Sequence, residues 1–161
     1  MSAPWALEPV TGADVAVDDL LARHHADMRA GSPPESCHVM TASALRAAGA
    51  QVYALRDGAG AVCAVGALKP LSDGPLPGPA VELKSMHVAR ACRGRGLGGT
   101  LLRHLLERAR ESGATSACLE TGTQEAFLPA RGLYAGAGFT ECPPFADYRL
   151  DPLSVFMTRR L

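Results

Sequence analysis

"VARACRGRGLGGTLLRHLLERAR", Val88–Arg110, sets three arginines and four glycines against the start of a leucine-striped segment. Glycine inside a helix costs roughly 1 kcal/mol, and clustered arginines repel one another unless an anion sits among them. From Leu97 onward the run is nevertheless the best-defined helix of the chain. Leu97, Leu101, Leu102, Leu105, Leu106 and Ala109 recur at helical spacing, and Gly113 is placed to end it. A helix start exposes unpaired N–H groups and carries about half a positive charge. Glycines let those groups converge on one point. Arg93 and Arg95 add charge, and the Thr100 hydroxyl offers a further donor. The absent partner reads as a phosphate or pyrophosphate.

Outward from this segment the chain alternates strands and helices. "WALEPV" (Trp5–Val10) suits a first strand, and "GADVAVDDLLARHHADMRA" carries Val17, Leu20, Leu21, His24 and Met28 at helical spacing. "GSPPES" (Gly31–Ser36) must break that helix, and "TASALRAAGA" reads as a short second one capped by Thr41 or Ser43. "QVYALRD" and "VCAVGALKPL" form a hairpin signal around "GAG", "AVELKSMHV" (Ala80–Val88) is a strand, and so is "SACLETG". "PARGLYAGAGF" opens a last helix with Pro129 in its first turn, and one or two late strands follow. The sum is a mixed sheet with about four helices, in the α/β or α+β class.

The 161 residues fit a single domain spanning 1–161, and 47 % hydrophobic residues suffice for a core. Sixteen basic and sixteen acidic residues cancel, which argues against a nucleic-acid or membrane-surface partner. The only lysines are Lys69 and Lys84. Five scattered cysteines without a CxxC suggest reduced thiols and a cytoplasmic setting. No signal segment is expected, since Trp5, Glu8 and Pro9 interrupt any apolar run near the start, and no stretch approaches the ~18 apolar residues of a membrane span. His24 and His25 are adjacent and diverge around a helix, so no metal is expected.

A nucleoside-triphosphate loop would need Gly-Lys-Ser/Thr after the glycines, which is absent. A dinucleotide reading stays in competition: Gly94, Gly96 and Gly99 fit its glycine spacing, and Glu120 stands at about the right distance, but Arg93 and Arg95 then go unexplained.

"MHVARACRGRGLGGTLL" resembles the acyl-CoA-binding segment of the GCN5-related N-acetyltransferases (GNAT), with Met86 and Val88 on the strand and Arg93, Gly96 and Gly98 in the loop. About forty residues on, "ARGLYAGAGF" resembles the second half of that signature, matched by Leu133, Tyr134, Gly138 and Phe139. "ELKSM", "LETG", "CPPF" and "SVFM" are similar to a bacterial subgroup typified by YsnE. The resemblance implies a mostly antiparallel twisted sheet of six to seven strands flanked by about four helices. It also implies a splay between the strands at 80–88 and 116–122, with a bulge in the first.

It further implies acetyl-CoA as the acyl donor and direct attack by an amine in a ternary complex. The donor would lie against Met86, His87 and Val88, the loop residues Arg93, Gly94, Arg95, Gly96, Leu97, Gly98, Gly99 and Thr100, and Ala130 and Leu133. Glu82 aligns with the family's strand base, the alternative being a glutamate satisfied by Lys84 or Arg90. Tyr134 occupies the position of the general acid. Strand alternation points His87 away from Glu82. Thr123 or Gln124 stands where the family often has an asparagine that bonds the donor arm.

Asp27, Ser32, Glu35, Glu120, Phe145 and Tyr148 are candidates for holding the acceptor, and Arg149 could hold a carboxylate. The expected acceptor is a small-molecule or amino-acid-like primary amine, on a monomer or homodimer. A protein amine, or a non-catalytic acyl-CoA sensor on the same fold, are the alternatives.

Overall fold

The computed structural model describes residues 5–30 and 42–161. The elements run β1 (Ala6–Val10), α1 (Val15–Ala30), α2 (Ala42–Ala47), β2 (Gln51–Arg56), β3 (Val62–Leu71), β4 (Ala80–Val88), α3 (Leu97–Glu111), β5 (Ser116–Gly122), α4 (Leu128–Gly136), β6 (Thr140–Cys142) and β7 (Ser154–Arg160). Among the described residues this makes seven strands and four helices. Ser43 lies inside α2 rather than ahead of it, and Thr41 and the Gly31–Ser36 break lie outside the described residues. No helix among the described residues is long and apolar enough to cross a membrane.

One sheet takes the order β1-β2-β3-β4-β5-β7-β6. Its only parallel pair is β4 with β5, as a strand–helix–strand crossover through α3 requires. Two apolar layers cover it. Leu97, Leu101, Leu102 and Leu105 pack with Leu83, Leu119, Phe139 and Met157 on the α3 face. Val17, Leu20, Leu21 and Leu45 pack with Val52, Val65 and Ala67 on the α1 face. Asp14 starts α1 by accepting the Val17 amide at 3.2 Å. That bond, then Arg56, holds its carboxyl below the usual range.

β4 carries the expected bulge. Its partners on β3 step from Ala67↔Lys84 to Val65↔His87, so two residues on β3 span three on β4. Ser85 absorbs the excess at φ 55°. Gly66 faces the bulge, where a Cβ would lie 2.8 Å from Leu105 Cδ1 and 3.4 Å from Met86 Cγ. Gly66→Ala is expected to destabilise the protein by about 1–3 kcal/mol, the usual cost of overpacking, read as a lower urea midpoint at unchanged slope.

The extra residue also reverses the alternation of side chains. Lys69, Ala67 and Val65 share one face of β3, so their partners Glu82, Lys84 and His87 share one face of β4. His87 therefore stands on the same side as Glu82, not away from it. Met86 and Val88 join Val81 and Leu83 on the α3 side.

Candidate active site

β4 and β5 pair over four positions only, from Ala80↔Ser116 to Leu83↔Leu119. Beyond them β4 turns off at the bulge while β5 runs on beside β7. Main-chain groups on the facing edges are left without a ladder partner from the other strand. This parting is the expected splay.

A groove of about 650 Å³ runs from the parting to the start of α3. Met86, His87, Val88, Arg93, Gly94, Gly96, Leu97, Gly98, Ala130, Leu133 and Tyr134 line it, so the two sequence motifs meet across one space. Gly96 caps α3 at φ 73°, a left-handed conformation that glycine reaches without strain. The amides of Gly94 through Gly99 meet no acceptor among the described residues, as the geometry of a helix start leaves them. Gly98 passes close under α4, where a Cβ would lie 3.3 Å from Leu133 Cδ2.

Three loop residues sit differently from expectation. Thr100 donates its hydroxyl to Gly96 O at 3.3 Å, turning it into the helix. Arg95 is exposed and lies outside the groove lining, and Gly99 lines a separate furrow between α3 and α4. For Gly99 and Thr100 the reason is helical phase, because only one side of the first turn can face the groove; Arg95 lies in the loop before the cap. Arg93 donates Nε to Val88 O at 3.2 Å and brings a guanidinium nitrogen within 3.9 Å of Asp27.

At the parting the groove meets a smaller cavity of about 90 Å³, lined by His24, Glu82, Lys84, Glu120 and Tyr134 among others. Glu82 is buried, and its Oε2 accepts from the Lys84 ammonium at 3.1 Å and from the Tyr148 hydroxyl at 2.6 Å. Lys84 also donates to the Tyr148 oxygen at 3.0 Å, closing a triangle. Burial, then the Glu82 charge, pushes the Tyr148 hydroxyl far up. Glu120 Oε1 accepts from Ser154 Oγ at 3.1 Å. Burial raises Glu120 to about 7, against the lowering effects of that bond and of Lys84. Tyr134 reaches Met86 Sδ at 3.9 Å, a weak acceptor, and burial followed by the Glu120 charge raises it to about 12.

Among the acceptor candidates, Glu120 and Tyr148 line this cavity. Asp27 faces the larger groove, 4.0 Å from His87 Nε2. Phe145 is buried under the loop, packed edge-on against Tyr148 and Phe156, and so supports Tyr148 rather than lining the cavity. Ser32 and Glu35 lie outside the described residues. Arg149 lines a third space of about 430 Å³ with Lys69, behind the Glu82–Lys84–Tyr148 wall. Thr123 turns its hydroxyl to Pro152 O at 3.0 Å, away from the parting.

Sequence reasoning weighed His24 only as a helix-face residue and a metal ligand; it lines both spaces, with its Nδ1 3.1 Å from that of His87. Burial, then His87, pushes His24 down to about 4, so it is neutral at physiological pH. Its place two turns into α1, facing Met28, was the available signal. Phe127 and Arg131 were passed over. Phe127 lines both spaces, and Arg131 donates to Gly122 O at 2.6 Å and Gln124 O at 3.2 Å, tying β5 to α4.

Comparison with known proteins agrees with this geometry. The sequence profile of the Acetyltransferase (GNAT) family matches residues 17–139. The chain is 40 % identical to the uncharacterized N-acetyltransferase YedL of Escherichia coli (strain K12), over 91 % of this chain and 88 % of that protein. It is 36 % identical to the uncharacterized N-acetyltransferase YsnE of Bacillus subtilis (strain 168), over 96 % and 97 %. A Bacillus subtilis acetyltransferase solved in complex with CoA shares the fold, with a TM-score of 0.70 at 16 % identity over 98 % and 99 % of the two chains. Profile, relatives and fold agree: the chain belongs to the GNAT family of acetyltransferases, and is an acyltransferase of the N-acetyltransferase kind.

Proposed function

We propose that the protein transfers the acetyl group of acetyl-CoA to a primary amine of a small-molecule or amino-acid-like acceptor, by direct attack with both substrates bound. The observation that carries this reading is the set of unengaged amides at Gly94, Gly96, Leu97 and Gly98, beside Arg93, at one end of a groove whose other end is the parting of β4 and β5. The amides and Arg93 suit a diphosphate. The unpaired strand edge suits an extended pantetheine arm, which takes the place of a strand. The solved relative in complex with CoA supports a CoA-type donor on this fold.

With the arm in the groove, the thioester falls at the junction with the small cavity, next to Tyr134. The acceptor nitrogen attacks the thioester carbonyl carbon, and the carbon–sulfur bond breaks. Tyr134 gives its proton to the departing sulfur, whose thiol has an ordinary pKa near 8.5. A hydroxyl raised to about 12 stays protonated across the working range, so the proton is in place when the sulfur departs; the transfer is completed as the cationic adduct nitrogen gives its own proton to the Tyr134 oxygen. Holding both reactants in one place removes up to roughly 7–11 kcal/mol of barrier in the best cases.

The test is calorimetry with two donors, together with an amine panel. Arg93→Ala is expected to weaken acetyl-CoA binding about tenfold, in line with the loss of one charge-assisted hydrogen bond. Binding of S-acetylpantetheine, which lacks the diphosphate, should stay unchanged. Equal weakening of both would overturn the loop reading. Thiol release from acetyl-CoA should accelerate with at least one member of a panel of the twenty amino acids and simple alkylamines.

A further inference from the structure

Two carboxylates reach the small cavity, and they are held in opposite ways. Glu82 sits inside the triangle with Lys84 and Tyr148, its Oε2 accepting from both. A proton placed on Glu82 would break the ion pair and strand a lysine whose side chain is only 10 % exposed. Each glutamate keeps one oxygen without a partner among the described residues, but Glu82 is tied to an ammonium and a phenol, whereas Glu120 meets only a hydroxyl. Its Oε1 accepts from Ser154. It is also the first residue of β5 beyond the last position paired with β4, so it stands where the sheet opens. Tyr134 lines the same cavity from α4.

We propose that Glu120, and not Glu82, takes the proton from the acceptor amine, while Glu82 holds Lys84 and Tyr148 as the fixed wall of the site. This rests on the acetyl-transfer reading above. An alkylammonium has no lone pair until it loses a proton. Glu120 takes that proton, and the freed pair forms the bond to the thioester carbonyl carbon. As the tetrahedral adduct collapses, the carbon–sulfur electron pair leaves with sulfur, which takes the proton of Tyr134. The nitrogen, now cationic in the adduct, returns a proton to the Tyr134 oxygen. The products are amide and thiol, and Glu120 releases its proton to solvent.

The environment suits the role. The groups facing Glu120 are Glu82 and Lys84 from β4, Tyr148 and Asp151 from the loop before β7, Ser154 at the start of β7, Tyr134 from α4 and His24 from α1. Burial outweighs Lys84 and Ser154 and raises Glu120 to about 7. A base is most effective when its pKa lies near the working pH. The active form is the carboxylate, so kcat/KM for an alkylamine rises with pH through about 7.

The experiment compares alkylamines with hydroxylamine, whose nitrogen is already unprotonated at neutral pH. Glu120→Gln keeps the shape of the side chain and an acceptor for Ser154. It is expected to lower kcat/KM for the alkylamine about 10²- to 10⁴-fold and hydroxylamine turnover less than tenfold, and to remove the rising limb of the pH profile. Glu82→Gln should leave the ratio of the two rates near that of the unaltered protein, a readout that is insensitive to partial misfolding. The reverse pattern, with the ratio collapsing for Glu82→Gln and surviving for Glu120→Gln, would overturn the assignment. Hydroxylamine turnover with no alkylamine turnover by the unaltered protein would overturn it too. Turnover of neither would instead remove the acetyl-transfer reading on which the assignment rests.

Discussion

Tyr134→Phe is expected to lower kcat by about 10²-fold or more, the contribution of one proton donor, while the Kd for acetyl-CoA stays within about twofold. The separation follows from what the hydroxyl touches. Its one hydrogen-bond partner among the described residues is the Met86 sulfur at 3.9 Å, which contributes little to stability or to the shape of the groove. The ring supplies the packing, edge-on to Phe139 with centroids 6.0 Å apart, and phenylalanine keeps it. Loss of activity with binding and melting temperature preserved therefore reports the proton alone. The measurement pairs steady-state rates with calorimetry. The defect should shrink with an acyl donor whose leaving thiol is more acidic, because such a sulfur departs without protonation. An undiminished defect with that donor would remove Tyr134 from the proton-transfer role.

Gly122→Ala should be nearly as damaging, by a different route. A Cβ on Gly122 would lie 2.3 Å from Phe127 Cδ2 and 2.6 Å from Cε2, closer than any real contact. The space open to the displaced Phe127 ring is the site itself. Phe127 lines both the donor groove and the small cavity, and Arg131 holds Gly122 O and Gln124 O, which fixes the chain leading into the turn that carries it. The displaced ring moves toward the junction where the thioester would lie. We expect acetyl-CoA binding to weaken at least about tenfold, with folding stability lower by roughly 1–3 kcal/mol. The double variant Gly122→Ala/Phe127→Ala should recover binding in part, because it removes the clash. No recovery in the double variant would mean that the backbone at Gly122 matters for another reason.

The parts of this molecule readable from sequence are those whose signal is local. α3 announces itself through six apolar residues at helical spacing, and it ends at Glu111 with Ser112 as its cap and Gly113 at φ 93°. Gly94 and Gly96 mark positive φ by their identity alone. The bulge position was not legible, because the left-handed residue is Ser85, with no glycine to flag it. The error in His87 followed directly, since one uncounted residue reverses every later side chain. The surroundings of the two glutamates were hidden for a second reason. Glu82 is engaged by Tyr148, 66 positions away, and Glu120 is raised by walls contributed from β4, α4 and the approach to β7. Such environments exist only after the chain has folded. Phe145 was misjudged in the same way: its loop is on the surface, but its ring is core.

The short contact between β4 and β5 bears on where sensitivity to change will be found. Only four paired positions stitch the two leaves of the sheet together. Cohesion across that seam comes instead from the leucines of α3, which clamp Leu83 on one leaf and Leu119 and Met157 on the other. The aperture between the leaves is thus set by side-chain bulk beneath the sheet, so an interior substitution far from any reacting atom can widen or narrow the opening and register first as a change in turnover.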